Sequence, residues 1–180
     1  MIREFAFGKQ TPEGWLPFSA AVTKRHAGEF LSAVNRNDIN QVLQLLQQGL
    51  DPHLVNDRAG FTPLIIAVYK NFHEIVELLL MVYHDLEQGD VDAGFTALAW
   101  GVRQNHLRMV QLLVQHGANV DGRDKQGISI INMAYANAGE EVFLELLRNS
   151  NSRDPQELSY WKKWACDKGW LVSLEFINGL

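Results

Sequence analysis

The sequence predicts an all-α solenoid of stacked helix–turn–helix repeats with short hairpin-like turns between them. Three observations predict it. The phrase Gly60-Phe-Thr-Pro-Leu-Ile-Ile-Ala-Val68 returns 34 residues later as Gly94-Phe-Thr-Ala-Leu-Ala-Trp-Gly-Val102. A small residue recurs at Ala33, Ala67, Gly101, Ala134 and Ala165, with spacings of 34, 34, 33 and 31. Val42-Leu-Gln-Leu-Leu46 aligns with Val76-Glu-Leu-Leu-Leu80 and Val110-Gln-Leu-Leu-Val114. Self-similarity at this period marks an array of supersecondary units, none of which buries its apolar face alone.

The elements follow in order. Residues 1–28 show no repeat, yet Ile2, Phe5, Phe7, Trp15, Leu16 and Phe18 are too apolar for a free tail. Pro12, Gly14 and Pro17 exclude a continuous helix there. The expected role is a cap over the first helix pair, since solenoid ends need one; the alternative is an arm that carries part of a binding site. Residues 29–150 hold the repeats. In the clearest unit, Thr62 caps a helix with its hydroxyl, and Pro63 suits the first turn, where its missing N–H costs nothing. Leu64, Ala67 and Val68 share one face. Asn71 ends that helix, and Ile75, Leu78, Leu79 and Val82 form the inner side of the next. Gly60 fits a turn with positive φ.

The recurring small residue sits where helices of neighbouring units approach, and a leucine there would overpack by ~1–3 kcal/mol. Gly101 gives up roughly 1 kcal/mol against alanine in a helix. The expected reason is the indole of Trp100, filling the vacated space. Tyr83 stands where Gly49 and Gly117 end their helices, and tyrosine resists the left-handed cap conformation. That helix is therefore expected to continue toward Leu86 and end near Gly89. The next unit repeats the second helix in Glu141-Val-Phe-Leu-Glu-Leu-Leu147. A loop at 149–155 leads to residues 151–180, a degenerate repeat or cap. Its Trp161, Trp164 and Trp170 are expected to close the core, with Leu174-Glu-Phe-Ile177 as a worn second helix.

With Gly60-Phe-Thr-Pro-Leu64 and Leu112-Leu-Val-Gln-His-Gly-Ala-Asn-Val-Asp121 in view, the chain resembles the ankyrin-repeat family. It has three clear repeats and degenerate units at both ends. The histidine that commonly follows Pro-Leu in that family is Ile65, Ala99 and Asn132 here, so the hydrogen bonds it supports between units are not expected in their usual form. The resemblance implies a non-catalytic protein-binding module that uses turn tips and the concave face of the first helices. The turn positions are then Arg58, Ala59 and Phe61; Asp92, Ala93 and Phe95; Lys125, Gln126 and Ile128. The helix positions are Asn35 and Arg36, Tyr69 and Lys70, Arg103 and Gln104, Ala136 and Asn137. Phe61, Phe95 and Ile128 form an apolar row, and Tyr69 and Arg103 are residue types enriched at binding hot spots.

Composition limits the alternatives. An apolar fraction of 47% with 21% charged residues excludes a disordered chain. A net charge of −5 argues against duplex binding and suits a basic protein partner. One cysteine, Cys166, excludes a disulfide within the chain and favours a reducing compartment. No secretory signal is recognisable at the N-terminus, and the longest apolar run, Leu78 to Tyr83, is far short of a membrane span. A cytoplasmic or nucleoplasmic protein, monomeric or in a heterocomplex, is expected.

No catalytic phrase is present. Phosphate-binding glycine loops are missing, and the six histidines lack zinc spacing. No cofactor or metal is expected. Asp85, Glu87, Asp90 and Asp92 read as a solvated acidic turn, because the loop lacks the ligands of a calcium site. His73 and His106 are expected to make turn hydrogen bonds, and Cys166 to be a buried, inert thiol. Two non-catalytic roles remain: an adaptor, or a dedicated inhibitor or immunity protein that blocks a toxin or enzyme active site. The acidic balance and the short chain, with no effector domain attached, lean toward the second. An enzyme using Cys166 and a histidine ranks last.

Overall fold

The computed structural model describes residues 16–152 and 154–179. Among the described residues there are ten α-helices: α1 (Ala20–Asn35), α2 (Ile39–Gln47), α3 (Pro63–Tyr69), α4 (His73–Leu80), α5 (Ala97–Arg103), α6 (Leu107–Gln115), α7 (Ile130–Asn137), α8 (Glu140–Asn149), α9 (Pro155–Lys168) and α10 (Leu171–Asn178). Among the described residues there is no β-strand, only an isolated antiparallel bridge between Arg123 and Ser129. Odd-numbered helices form one layer, with α3 against α1, α5 against α3 and α7 against α5. Even-numbered helices form the other, each from α4 to α10 packing on its predecessor.

Local chemistry sets the helix starts. Thr62, Thr96 and Ser129 accept hydrogen bonds from the backbone N–H of Ile65, Ala99 and Asn132 at 3.1, 3.3 and 3.2 Å. Each satisfies a donor that the first turn leaves without an intrahelical partner. First helices end alike: Asn37, Asn71 and Asn105 all take the left-handed conformation at φ near 60°. Asparagine tolerates it where most side chains do not.

All five recurring small residues are buried, and they mark where the layers touch. A Cβ on Gly101 would stand 3.3 Å from Val68 Cγ1 and 3.5 Å from Val110 Cγ2. The glycine thus admits the preceding unit's helix, and the expectation that Trp100 fills this space is corrected.

Helix α4 is the second correction. It stops at Leu80 rather than running toward Leu86. Tyr83 turns inward instead, nearly buried, and its hydroxyl donates to the Pro52 carbonyl at 3.0 Å. Burial pushes that hydroxyl far above the ordinary tyrosine pKa. At the equivalent positions Gly49 and Gly117 take φ of 88° and cap their helices. Tyr83 therefore trades a backbone cap for a packed ring and a bond to the preceding unit. The extra residue in this unit lies in the turn after it, where Asp90 N donates to Phe95 O across one more residue than in Asp57 N to Phe61 O.

The linkers after the even helices form a second row of contacts between units. Asn119 N donates to Glu87 Oε1 at 2.9 Å and Asn151 N to Asp121 Oδ2 at 3.1 Å, while Asp51 N, in the first linker, donates back to Thr23 Oγ1 of α1 at 2.8 Å within its own helix pair. One junction is different: His84 N donates to His53 Nε2 at 3.4 Å, with the two rings 4.0 Å apart. The missing family histidine is replaced piecemeal. Asn132 accepts from Trp161 Nε1 at 3.1 Å, and His106 Nδ1 lies 3.1 Å from the Val68 carbonyl, so His106 bonds the preceding unit.

At the N-terminal end the boundary expected at 28/29 falls inside α1, which Ser19 caps. Leu16 N and Ser19 N donate to Gln47 O and Gly49 O, while the Leu16 and Phe18 side chains remain exposed. The expectations for Ile2, Phe5, Phe7, Trp15 and the Pro12–Gly14 segment lie outside the described residues. At the C-terminal end Trp161 is fully buried, Trp164 stacks on Tyr135 at 4.6 Å, and Trp170 packs on Phe143 at 5.1 Å. Cys166 is exposed, which corrects the buried thiol expected from sequence. It sits beside Ala165 on α9, but its own position faces away from the packed side.

Candidate binding surface

Three aspartates build the turn tips. Asp57 Oδ1 accepts from Ala59 N and Phe61 N, both at 2.9 Å. Asp124 Oδ1 accepts from Gln126 N at 2.9 Å and Ile128 N at 2.8 Å. Asp90 takes the same role, from Ala93 N at 2.8 Å and Gly94 N at 3.0 Å. Its second oxygen accepts from Trp100 Nε1 at 2.9 Å. Asp90 is buried, so the solvated acidic turn expected there is corrected for this residue, while Asp92 is exposed. Successive tips are bonded to each other: Val91 N donates to Ala59 O at 3.0 Å, and Lys125 N to Ala93 O at 2.9 Å. Lys125 Nζ also reaches the Val91 carbonyl.

Trp100 is the centre of the surface. It lies edge-on to Phe61, Tyr69 and Phe95, with centroids 5.2, 5.3 and 5.6 Å away. Edge-to-face arrangement suits aromatic quadrupoles and is worth ~0.5–1.5 kcal/mol per pair beyond area burial. The Arg103 guanidinium lies over both Phe95 and Trp100, at 5.6 and 5.7 Å. Four aromatics from two consecutive repeats thus form one platform, with an arginine resting on it.

The apolar row of turn residues is graded rather than uniform. Phe95 is buried, Phe61 is half-buried, and Ile128 is 47% exposed. Phe95 therefore supports the platform from below. Tyr69 is 43% exposed and Arg103 and Gln104 are exposed beside it. Lys70 is exposed, and its Nζ donates to the Asn35 carbonyl at 2.9 Å, tying the ends of α1 and α3. Arg58 and Gln126 are exposed at the tips, with Ala59 and Ala93 half-buried. Asn35 and Asn137 bond back to their own helices, at Leu31 O and Met133 O. Ala136 is exposed at the far end.

Two central residues, Trp100 and Asp90, were not among the positions expected from sequence. The signal for them was present but separated: an aromatic beside the small residue, and an acid ten residues earlier. Among the described residues, no group of histidine, cysteine, aspartate or glutamate is arranged to hold a metal ion. Nor is any helix there long and apolar enough to cross a membrane.

Comparison with known proteins agrees with this geometry. A family model for ankyrin repeats, in three copies, matches residues 30–124. The chain is 34% identical over 132 residues to ankyrin repeat protein FPV031 of fowlpox virus, covering 71% of this chain and 39% of that one. It is 39% identical over 80 residues to the mouse B-cell lymphoma 3 protein homolog, covering 44% of this chain and 18% of that protein. With the human palmitoyltransferase ZDHHC17 it shares 29% identity over 170 residues, 76% of this chain and 27% of that one. The chain thus spans well under half the length of these relatives. Its all-helical solenoid, its period and the match across its central units lead to one conclusion: the chain belongs to the ankyrin-repeat family.

Proposed function

We propose that the chain is a non-catalytic protein-binding module, and that its partner docks on the strip of turn tips and first-helix ends centred on Tyr69, Trp100 and Arg103. Arg58, Phe61, Lys70, Asp92, Gln104, Lys125 and Ile128 form its surroundings. The observation that carries this reading is a partly exposed platform whose members are held by one another, with Tyr69 and Arg103 at its surface. Asp90 fixes the indole, and the indole and Phe95 fix Arg103. A side chain already held in place loses less entropy on binding, and aromatic and arginine anchors supply most interface energy. Ankyrin repeats generally mediate protein–protein interaction, which supports the same reading. The similarity to a palmitoyltransferase covers 27% of that protein and carries no transferase chemistry to this chain. We place the module in a reducing compartment such as the cytoplasm, which suits the exposed thiol of Cys166.

The test is capture of partners from native lysate by the full chain and by a Tyr69→Ala/Arg103→Ala variant, with thermal unfolding of both. The reading expects one dominant partner, lost in a variant that remains folded. A partner kept by the folded variant would contradict it. Assaying the captured partner at equimolar ratio then separates the two roles. Abolished activity marks a dedicated inhibitor or immunity protein; unchanged activity marks an adaptor.

A further inference from the structure

The candidate strip is positive in an acidic chain. Arg36, Arg58, Lys70, Arg103 and Lys125 accompany four carboxylates, Asp57, Asp90, Asp92 and Asp124, so five cations against four anions leave these positions at +1 where the whole chain carries −5. Three of the four, Asp57, Asp90 and Asp124, are turned onto backbone N–H groups of the tips. The five cations are exposed, as are Asp57 and Asp92, while Asp124 is half-buried and Asp90 buried. The contacts of the cations are with neutral groups. Arg36 donates to Ser32 Oγ at 2.8 Å and Gln41 Oε1 at 3.1 Å, Lys70 to the Asn35 carbonyl, and Lys125 to the Val91 carbonyl. Arg103 rests on rings. Ion pairs form elsewhere, as Arg123 with Glu157 at 2.6 Å. Among the described residues, none of these five cations has a carboxylate within ion-pair distance.

We propose that the partner presents an acidic segment to this strip, with a carboxylate on Arg103 and a large apolar side chain against Tyr69 and Trp100. The proposal rests on the reading above, that this strip is the binding surface, and names the chemistry of what it binds. Stacking occupies the flat face of the guanidinium and leaves its N–H edge to grip a carboxylate through two parallel hydrogen bonds. Neighbouring Tyr69 provides exposed ring surface for an apolar anchor. Five exposed cations with no carboxylate at ion-pair distance also attract an oppositely charged segment during encounter. A short acidic peptide meets only the strip. A nucleic acid would extend beyond it, and the remaining surface of this acidic chain would repel its phosphates. The acidic partner reverses the basic one expected from net charge alone, because the charge is segregated.

Selection from a phage-displayed library of random short peptides against the full chain tests this. Enriched peptides, synthesised and titrated, should carry Asp or Glu beside a large apolar residue. Their affinity should fall with added salt, and by about tenfold or more in Arg103→Glu, where like charges meet. Arg58→Glu, at an exposed tip, provides a second reversal that leaves the platform intact and should weaken binding less. Neutral or basic peptides, no enrichment, affinities unchanged by both reversals, or displacement by a thymidine oligonucleotide would overturn the proposal. Peptides without acids that still lose binding in Tyr69→Ala would sink the acidic segment and leave the surface standing. Binding unaffected by Tyr69→Ala and both reversals would sink the two together.

Discussion

Two clusters in this molecule use the same ingredients, and their difference separates surface from glue. In each, a cation lies over two aromatic rings: Arg103 over Phe95 and Trp100, Lys168 over Tyr135 and Trp170. At the C-terminal end one pair stacks face to face, Trp170 meets Tyr135 edge-on at 74°, and the rings join α7 to α9 and the start of α10. Trp164 lies nearly parallel to Tyr135, at 14°, and buried Trp161 donates to Asn132 of α7. These contacts hold α9 and α10 on the solenoid. In the middle of the chain the units already have neighbours on both sides. There the rings meet edge-on around an indole fixed by buried Asp90; Tyr69 is exposed, Phe61 and Trp100 half-buried, and Phe95 buried beneath them. Both clusters are rich in aromatics, and under the proposed reading the middle one binds a partner while the C-terminal one holds the fold.

The comparison can be broken by mutation, beginning at the C-terminal cluster. Trp161→Ala should cost about 3–5 kcal/mol, as truncation of a fully buried tryptophan does, read by urea unfolding. A loss below about 1 kcal/mol would mean that α9 is not held by this ring. Asp90→Ala should cost about 1.5–3 kcal/mol, because the Trp100 indole and two backbone N–H groups lose a charged acceptor. It should also weaken partner binding by loosening the platform, which distinguishes it from Trp161→Ala.

The His53–His84 junction lies outside both clusters and gives a smaller, pH-dependent effect. Burial, then the neighbouring His84, holds the His53 pKa below the ordinary histidine value, while Asp51, the Val82 carbonyl and Asp85 oppose them. The unfolded chain then binds a proton at higher pH than the folded one. This contribution is therefore full above the unfolded value of 6.5 and is lost as pH falls from there through the lowered folded value. Unfolding temperature should decline more steeply over that window in the wild type than in His53→Gln. Parallel declines would remove the junction as the cause. The smallest stability effect is expected for Arg103→Ala, within about 0.5 kcal/mol, since its side chain is exposed.

Much of this architecture was legible because it is written locally and repeatedly. Caps at Thr62, Thr96 and Ser129, the small-residue row and the helix-ending asparagine all depend on a few neighbouring residues. The errors arose where distant residues decide. Helix α4 ends at Leu80 because Tyr83 finds a buried partner in Pro52, 31 residues away. Gly101 answers to Val68, not to its neighbour Trp100. Asp90 looked like one acid among four, and only folding brings it to an indole. Cys166 and Ala165 are adjacent, yet a helix turns one inward and the other out. The candidate surface was legible as positions, but its centre and its sign emerged from which side chains meet.

The central claim is that the middle cluster is used for binding and the C-terminal one for stability. Arg103→Ala and Trp164→Ala, measured side by side for thermal unfolding and for affinity to the captured partner, test it most directly. The account predicts that Arg103→Ala loses affinity at an unchanged unfolding temperature, while Trp164→Ala lowers the unfolding temperature and keeps its affinity below the transition. Arg103→Ala that binds as the wild type does, with Trp164→Ala folded but unable to bind, would place the site at the other cluster and contradict it.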